Sequence, residues 1–210
     1  MKVELNLPNI LTFLRILSVP FIFFFLKMRN IPGTILAIIT LLIASLTDTF
    51  DGILARKLNQ VSEFGAFIDP LADKILIWGV YIVFLFKPLF PELWIFVIII
   101  ILRDVFVTFL RYYSRKKGVK FKTSFIAKTK TAVQMVFAFI LMFFLLISYV
   151  IKSFFRMNET SISLIWKNSF PQFAEIILAL PYFLMLLVCI FTVFTGLDYL
   201  LQYFKLRRNS

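Results

Sequence analysis

From Leu93 to Leu102, ten consecutive residues carry no charge, and stretches of this kind recur along the chain until little else is left. An apolar run approaching 20 residues is the length at which a helix crosses the hydrocarbon of a bilayer. The runs place about six such spans, at Ile10–Leu26, Thr34–Arg56, Gly65–Phe86, Leu93–Tyr113, Lys128–Ile151 and Phe173–Tyr203. With 61% of 210 residues hydrophobic, 28 of them Phe, and a mean hydropathy of +0.93, the chain has far more apolar surface than a soluble domain of this size needs. The expectation is an all-α polytopic membrane protein, one domain over 1–210, whose first nine residues form an amphipathic helix lying at the interface. The first apolar run is broken by Arg15 and lacks a small-residue cleavage site, so it reads as a span rather than a signal peptide.

Charge then sets sidedness. With the N-terminus inside, the inner segments hold 14 of the 23 Lys and Arg residues and the outer segments hold six. That bias predicts N-in, C-in topology in a bacterial-type cytoplasmic membrane. The formal charge of +12 lies largely in loops between spans. Such placement suits anionic lipid headgroups and phosphorylated substrates, not nucleic acid. A single cysteine, Cys189, rules out a disulfide framework or thiolate cluster, and the absence of histidine removes Ser-His-Asp triads and His-ligated zinc.

Against this apolar background, four aspartates fall within 26 residues: Asp48-x-x-Asp51-Gly52-x-x-Ala55-Arg56, eight residues, then Gly65-x-x-x-Asp69-x-x-x-Asp73. A carboxylate inside a membrane is costly unless it is compensated, which makes such residues functional candidates by default. On one helix Asp48, Asp51, Gly52 and Ala55 share an arc of roughly 100°, with Arg56 beside it; on the next, Gly65, Asp69 and Asp73 span about 80°. A hairpin of the two helices can aim all four carboxylates into one cleft. Hard oxygen donors favour Mg²⁺ or Mn²⁺. Gly52, Ala55 and Gly65 remove bulk where a ligand or helix must approach, and Arg56 offers a planar fork for phosphate. Asn9, Thr12 and Arg15 form a polar stripe at i, i+3, i+6 that either faces this cleft, the favoured reading, or lets Arg15 snorkel outward. Lys74 either counters the carboxylates or faces an interface.

These residues resemble the signature of the CDP-alcohol phosphotransferase family, D-x2-D-G-x2-A-R-x8-G-x3-D-x3-D, at every specified position. The resemblance implies a CDP-linked alcohol as donor, usually CDP-diacylglycerol, and a homodimer. It also implies two divalent ions, Mg²⁺ or Mn²⁺, clamping the diphosphate, typically about 3.5–4 Å apart. Asp48, Asp51 and Asp69 are the expected ligands, with Asp73 contributing or free to act as the general base. Arg56 would hold the diphosphate, Gly52 and Ala55 would admit the cytidine to the backbone, and Gly65, Asn9 and Thr12 belong to the same donor site. Asp69-Pro70-Leu71-Ala72-Asp73-Lys74 and Lys128-x-Lys130-Thr131-x-x-Gln134 are most similar to family members whose acceptor is glycerol 3-phosphate. Arg103, Arg111 and Lys128 then make a basic pocket for that dianion.

Two departures bear on the acceptor. The family usually has Arg-Glu where this chain has Arg103-Asp104, and often Gly where it has Ala127. Arg-Asp also occurs in members that make cardiolipin from phosphatidylglycerol, which is the alternative acceptor. A cation transporter is the remote alternative; it would spread its carboxylates over repeated halves, whereas here they crowd into one hairpin.

Overall fold

A computed structural model describes residues 7–57, 63–85, 93–116, 125–157 and 162–208, apart from the side chains at 7–8, 48–57, 63–67, 70, 115–116, 125–128, 162 and 206–208. Among the described residues there are seven helices and no strand. They are α1 (Leu7–Lys27), α2 (Ile31–Lys57), α3 (Glu63–Leu85), α4 (Leu93–Lys116), α5 (Phe125–Phe154), α6 (Ile162–Ser169) and α7 (Ala174–Arg208). The all-α expectation therefore holds. The interfacial helix expected at residues 1–9 lies largely outside the described residues, and residues 7–9 run straight into α1.

Among the described residues four helices are long and apolar enough to cross a membrane: Asn9–Lys27, Leu93–Ser114, Thr129–Phe154 and Ala174–Lys205. Ile31–Thr47 in α2 is a shorter apolar segment. The aspartate signature lies on α2 and α3, and α3 carries Asp69, Asp73 and Lys74 in its first half. The polar connection expected between the last two spans contains α6. Its Trp166 stacks on Phe144 of α5 at 5.6 Å and donates its indole N–H to Ser148 Oγ at 2.9 Å, so one side chain is satisfied in both its apolar and polar parts.

Side-chain placement follows a membrane solvent. Large apolar residues such as Phe109, Phe154, Ile176 and Leu201 are the exposed ones, while Asn9, Thr12, Arg15, Asp104, Lys130, Gln134 and Thr195 are buried. Buried Ile22, Leu26, Leu41, Leu76, Tyr81, Phe84 and Leu141 fill the middle of the bundle. Helix α1 packs on both α2 and α3, α4 packs on α7, and α5 touches α2, α3, α6 and α7. At residue 79 a Cβ would collide with Val19, so Gly79 is what lets α3 come this close to α1.

Cross-helix bonds give the register. Thr12 meets Asp69, Arg15 meets Asp73 and Val19 meets Gly79, so α1 and α3 run in the same direction. Arg103 meets Thr195 and Arg111 meets Tyr199, so α4 and α7 also run together. The first half of α3 and the second half of α4 meet at Lys74 and Thr108. The polar residues of five helices are thereby brought to one end of the bundle.

Candidate active site

Two polar clusters occupy that end. The first is the seam between α1 and α3. Spacings of three on α1 and four on α3 each keep residues on one helix face, so the two rows interlock. Thr12 Oγ1 donates to Asp69 Oδ1 at 2.6 Å, and Arg15 Nη1 donates to Asp73 Oδ1 at 2.6 Å. Ser18 Oγ donates to the Arg15 carbonyl at 2.6 Å. Arg15 is 1% exposed, so it does not snorkel to the interface; its charge is answered inside the bundle by Asp73, whose side chain is 31% exposed. Asn9, one turn before Thr12, is buried on the same face. The polar stripe read from the sequence thus faces the second pair of signature aspartates.

The first half of the signature is carried by α2, whose backbone is helical through residue 57. The side chains of Asp48, Asp51, Gly52, Ala55 and Arg56, and of Gly65 and Lys128, lie outside what the structure describes. Among the described residues no three carboxylate, histidine or cysteine side chains gather. What Asp69 and Asp73 show is consistent with a hard-cation site. Both are oxygen donors on one face of α3, one turn apart, against a helix that supplies hydrogen bonds and one balancing charge.

The second cluster spans α3, α4, α5 and α7 and centres on Asp104, which is 4% exposed. Lys130 pairs with its Oδ1, and Arg103 Nη1 reaches the same oxygen at 3.1 Å. Arg103 Nη2 also donates to Thr195 Oγ1 at 2.6 Å. A Cβ at residue 196 would lie 3.0 Å from Arg103 Nε, so Gly196 makes room for the guanidinium. Arg111 donates to the Tyr199 hydroxyl and lies 4.4 Å over the same ring, a cation–π contact. Lys74 donates to Thr108 Oγ1 and lies within electrostatic range of Asp104, Arg111, Arg103 and Asp73, which joins the two clusters. It therefore faces the site and not an interface.

Of the residues expected to receive the acceptor, Arg103 and Arg111 meet on one side of the bundle. Of the groups that surround them, Lys130 on α5 stood in the Lys128-x-Lys130 string without a role of its own, and sequence reasoning missed Thr195, Gly196 and Tyr199 on α7. They sit in runs with no local pattern; the one available signal was that Thr192, Thr195, Gly196 and Tyr199 interrupt an otherwise apolar helix at helical spacing.

The sequence profile described as CDP-alcohol phosphatidyltransferase matches residues 5–195, a stretch that takes in both clusters except for Gly196 and Tyr199. The chain belongs to this family. Among curated relatives, the CDP-diacylglycerol–glycerol-3-phosphate 3-phosphatidyltransferase of Wigglesworthia glossinidia brevipalpis is 40% identical over 145 residues, covering 66% of this chain and 78% of the relative. The protein of the same name from Rickettsia bellii is 39% identical over 135 residues, covering 64% and 74%. That of Cereibacter sphaeroides is 38% identical over 133 residues, covering 62% and 60%. As a member of the CDP-alcohol phosphatidyltransferase family, the chain places its signature on two helices, α2 and α3, with α1 packed against both.

Proposed function

We propose that this protein transfers a phosphatidyl group from CDP-diacylglycerol to glycerol 3-phosphate, giving phosphatidylglycerol phosphate and CMP. The observation that carries the reading is the combination of a complete family signature with relatives of that printed name over three quarters of their length. In the reaction the acceptor hydroxyl oxygen bonds to the phosphorus that bears diacylglycerol. The anhydride P–O bond breaks, its electron pair leaves on CMP, and the hydroxyl proton passes to a base.

Asp73 is that base. Arg15 Nη1 holds its Oδ1 at 2.6 Å, which orients the carboxylate, and its partial exposure leaves it reachable. Asp48, Asp51, Asp69 and Asp73 would hold two Mg²⁺ or Mn²⁺ ions. When bound, these would neutralise the diphosphate and stabilise the leaving CMP. Thr12 fixes Asp69, and Asn9 extends the same donor face toward the nucleotide, where Gly52, Ala55, Arg56 and Gly65 complete the site. A groove of about 200 Å³ between α1 and α2, lined by Arg15, Ser18, Thr40 and Thr47 among apolar residues, suits the glycerol end of the lipid donor.

The acceptor phosphate is held by Arg103, Arg111 and Lys128. Buried Arg103 Nε and Arg111 Nε have no hydrogen-bond partner among the described residues, which supports a role for an entering anion. Five cations (Arg15, Lys74, Arg103, Arg111, Lys130) face three described carboxylates (Asp69, Asp73, Asp104), a balance that suits a dianionic acceptor. The departure at Arg103-Asp104 also finds a use here, since Asp104 organises Lys130 and Arg103.

The apolar runs support six spans, and the charge bias supports both termini inside and a cytoplasmic active site. Homodimerisation would proceed through the exposed apolar faces in the membrane plane. Labelled CDP-diacylglycerol supplied separately with glycerol 3-phosphate or phosphatidylglycerol tests the reading. Label entering lipid product with the first acceptor is expected, and product with phosphatidylglycerol alone would reassign the enzyme to cardiolipin synthesis.

A further inference from the structure

The opposite end of the bundle holds a second basic site. Where α1 gives way to α2 and where α5 ends, Arg29, Asn30, Tyr149, Lys152, Ser153 and Arg156 line a recess of about 580 Å³. Arg29 lies 14 residues beyond Arg15, so the recess is about 20 Å along α1 from the α1–α3 seam. The outer segments hold only six Lys and Arg in all, and three of them line this one recess.

The backbone marks the same two arginines. Arg29 and Arg156 adopt φ of 53° and 52°, the left-handed region. Each sits just past a helix end, where glycine is the usual occupant because it has no Cβ to strain. At Arg156 the pattern is a full Schellman motif, with Met157 N–H bonded to the Lys152 carbonyl at 3.0 Å and Arg156 N–H to the Ser153 carbonyl at 3.2 Å. Arg29 N–H bonds to the Leu26 carbonyl at 3.3 Å in the equivalent way. Strain at two arginines that share one recess points to a use for their side chains.

Among the described residues no carboxylate pairs with Arg29, Lys152 or Arg156. Three cations with no described counter-ion, beside a serine hydroxyl and a tyrosine, form an array suited to phosphate oxygens, which arginine binds through paired N–H groups. Ile31, Pro32 and Met157 complete its lining, and residues next to the lining in sequence are apolar and exposed: Phe154 is 80% exposed, and Phe155 and Met28 are exposed as well. A soluble anion has no use for that border, whereas acyl chains do.

We propose that this recess binds the phosphodiester headgroup of an anionic lipid, on the membrane face away from the reaction. The full-length protein in nanodiscs of phosphatidylcholine, with and without phosphatidylglycerol, provides the test, read by thermal melting and by lipid retained in native mass spectrometry. Phosphatidylglycerol should raise the melting temperature and be retained, and Arg29→Gly/Arg156→Gly should cut retention at least fivefold. Because glycine relieves both left-handed positions, that variant should melt in pure phosphatidylcholine no lower than wild type, and its CMP release there should be unchanged. Lys152→Gln, which touches neither strained position, should lower retention about threefold and keeps the test open if the double variant misfolds. Equal retention by wild type and variants would overturn the site. Displacement of the lipid by millimolar inorganic phosphate would overturn the lipid and leave a free anion as the ligand.

Discussion

The α1–α3 seam and the Asp104 cluster lie side by side at one end of the bundle, yet they are built in opposite ways. In the seam, Asp69 and Asp73 each accept a bond from the facing α1, and both rows follow helical spacing. Around Asp104, one carboxylate gathers two cations, and the guanidinium of Arg103 is steadied from α7, 92 residues away in sequence. Among the described contacts the seam is a row of pairs, and the Asp104 cluster is a network. Removing one member of a pair should leave the others standing, whereas removing the hub of a network should strand several charges at once.

The largest effect should fall on the seam's chemistry. Asp73→Asn is expected to lower turnover by about 10³-fold, within the range for a lost general base, with CDP-diacylglycerol binding close to normal. Single-turnover CMP release against equilibrium binding checks this, and normal turnover would remove Asp73 from that role. Chelation by EDTA should likewise abolish CMP release, with recovery on adding Mg²⁺ or Mn²⁺; undiminished activity would end the metal assignment.

Next comes the hub. Asp104→Ala leaves Lys130 and Arg103 buried without their counter-charge and should cost about 3–5 kcal/mol of stability, the usual penalty for breaking a buried pair from one side. Asp104→Ala/Lys130→Met should recover much of that loss. A double variant no more stable than the single one would mean that the cluster is not the network described.

Arg111→Ala should raise the Michaelis constant for glycerol 3-phosphate by about ten- to a hundredfold, the scale of a lost charge-assisted bond, and that for CDP-diacylglycerol far less. The reverse order would move Arg111 to the donor site. The smallest effect belongs to Tyr199→Phe. It removes one hydrogen bond but keeps the ring under the guanidinium, so a change of about two- to fivefold in the same constant is expected.

The comparison also explains what the sequence made legible. Helix positions and the α1 and α3 polar rows were readable because apolar length and i, i+3, i+4 spacing are local properties. That Thr12 meets Asp69 and Arg15 meets Asp73 needed only the assumption that both rows face one cleft. Asp104 was legible as an oddity after Arg103, but its bond to Lys130 was not, since nothing local links an α4 residue to an α5 residue. Tyr199 and Gly196 were hidden for the same reason: each matters through a partner 88 or more residues away. The strain at Arg29 and Arg156 has no sequence signal beyond the absence of glycine where a helix stops.

The pairing of Arg15 with Asp73 bears on how the chain is made. Synthesis delivers Arg15 to the bilayer 58 residues before its partner exists. Until α3 arrives, that guanidinium lacks its Asp73 counter-charge, which favours a first helix held shallow or rotated toward the surface. Insertion of the third span is then the event that draws the first to its final depth, and α2, packed on α1, must be accommodated in between. The order in which these helices settle is written into the ion pair itself.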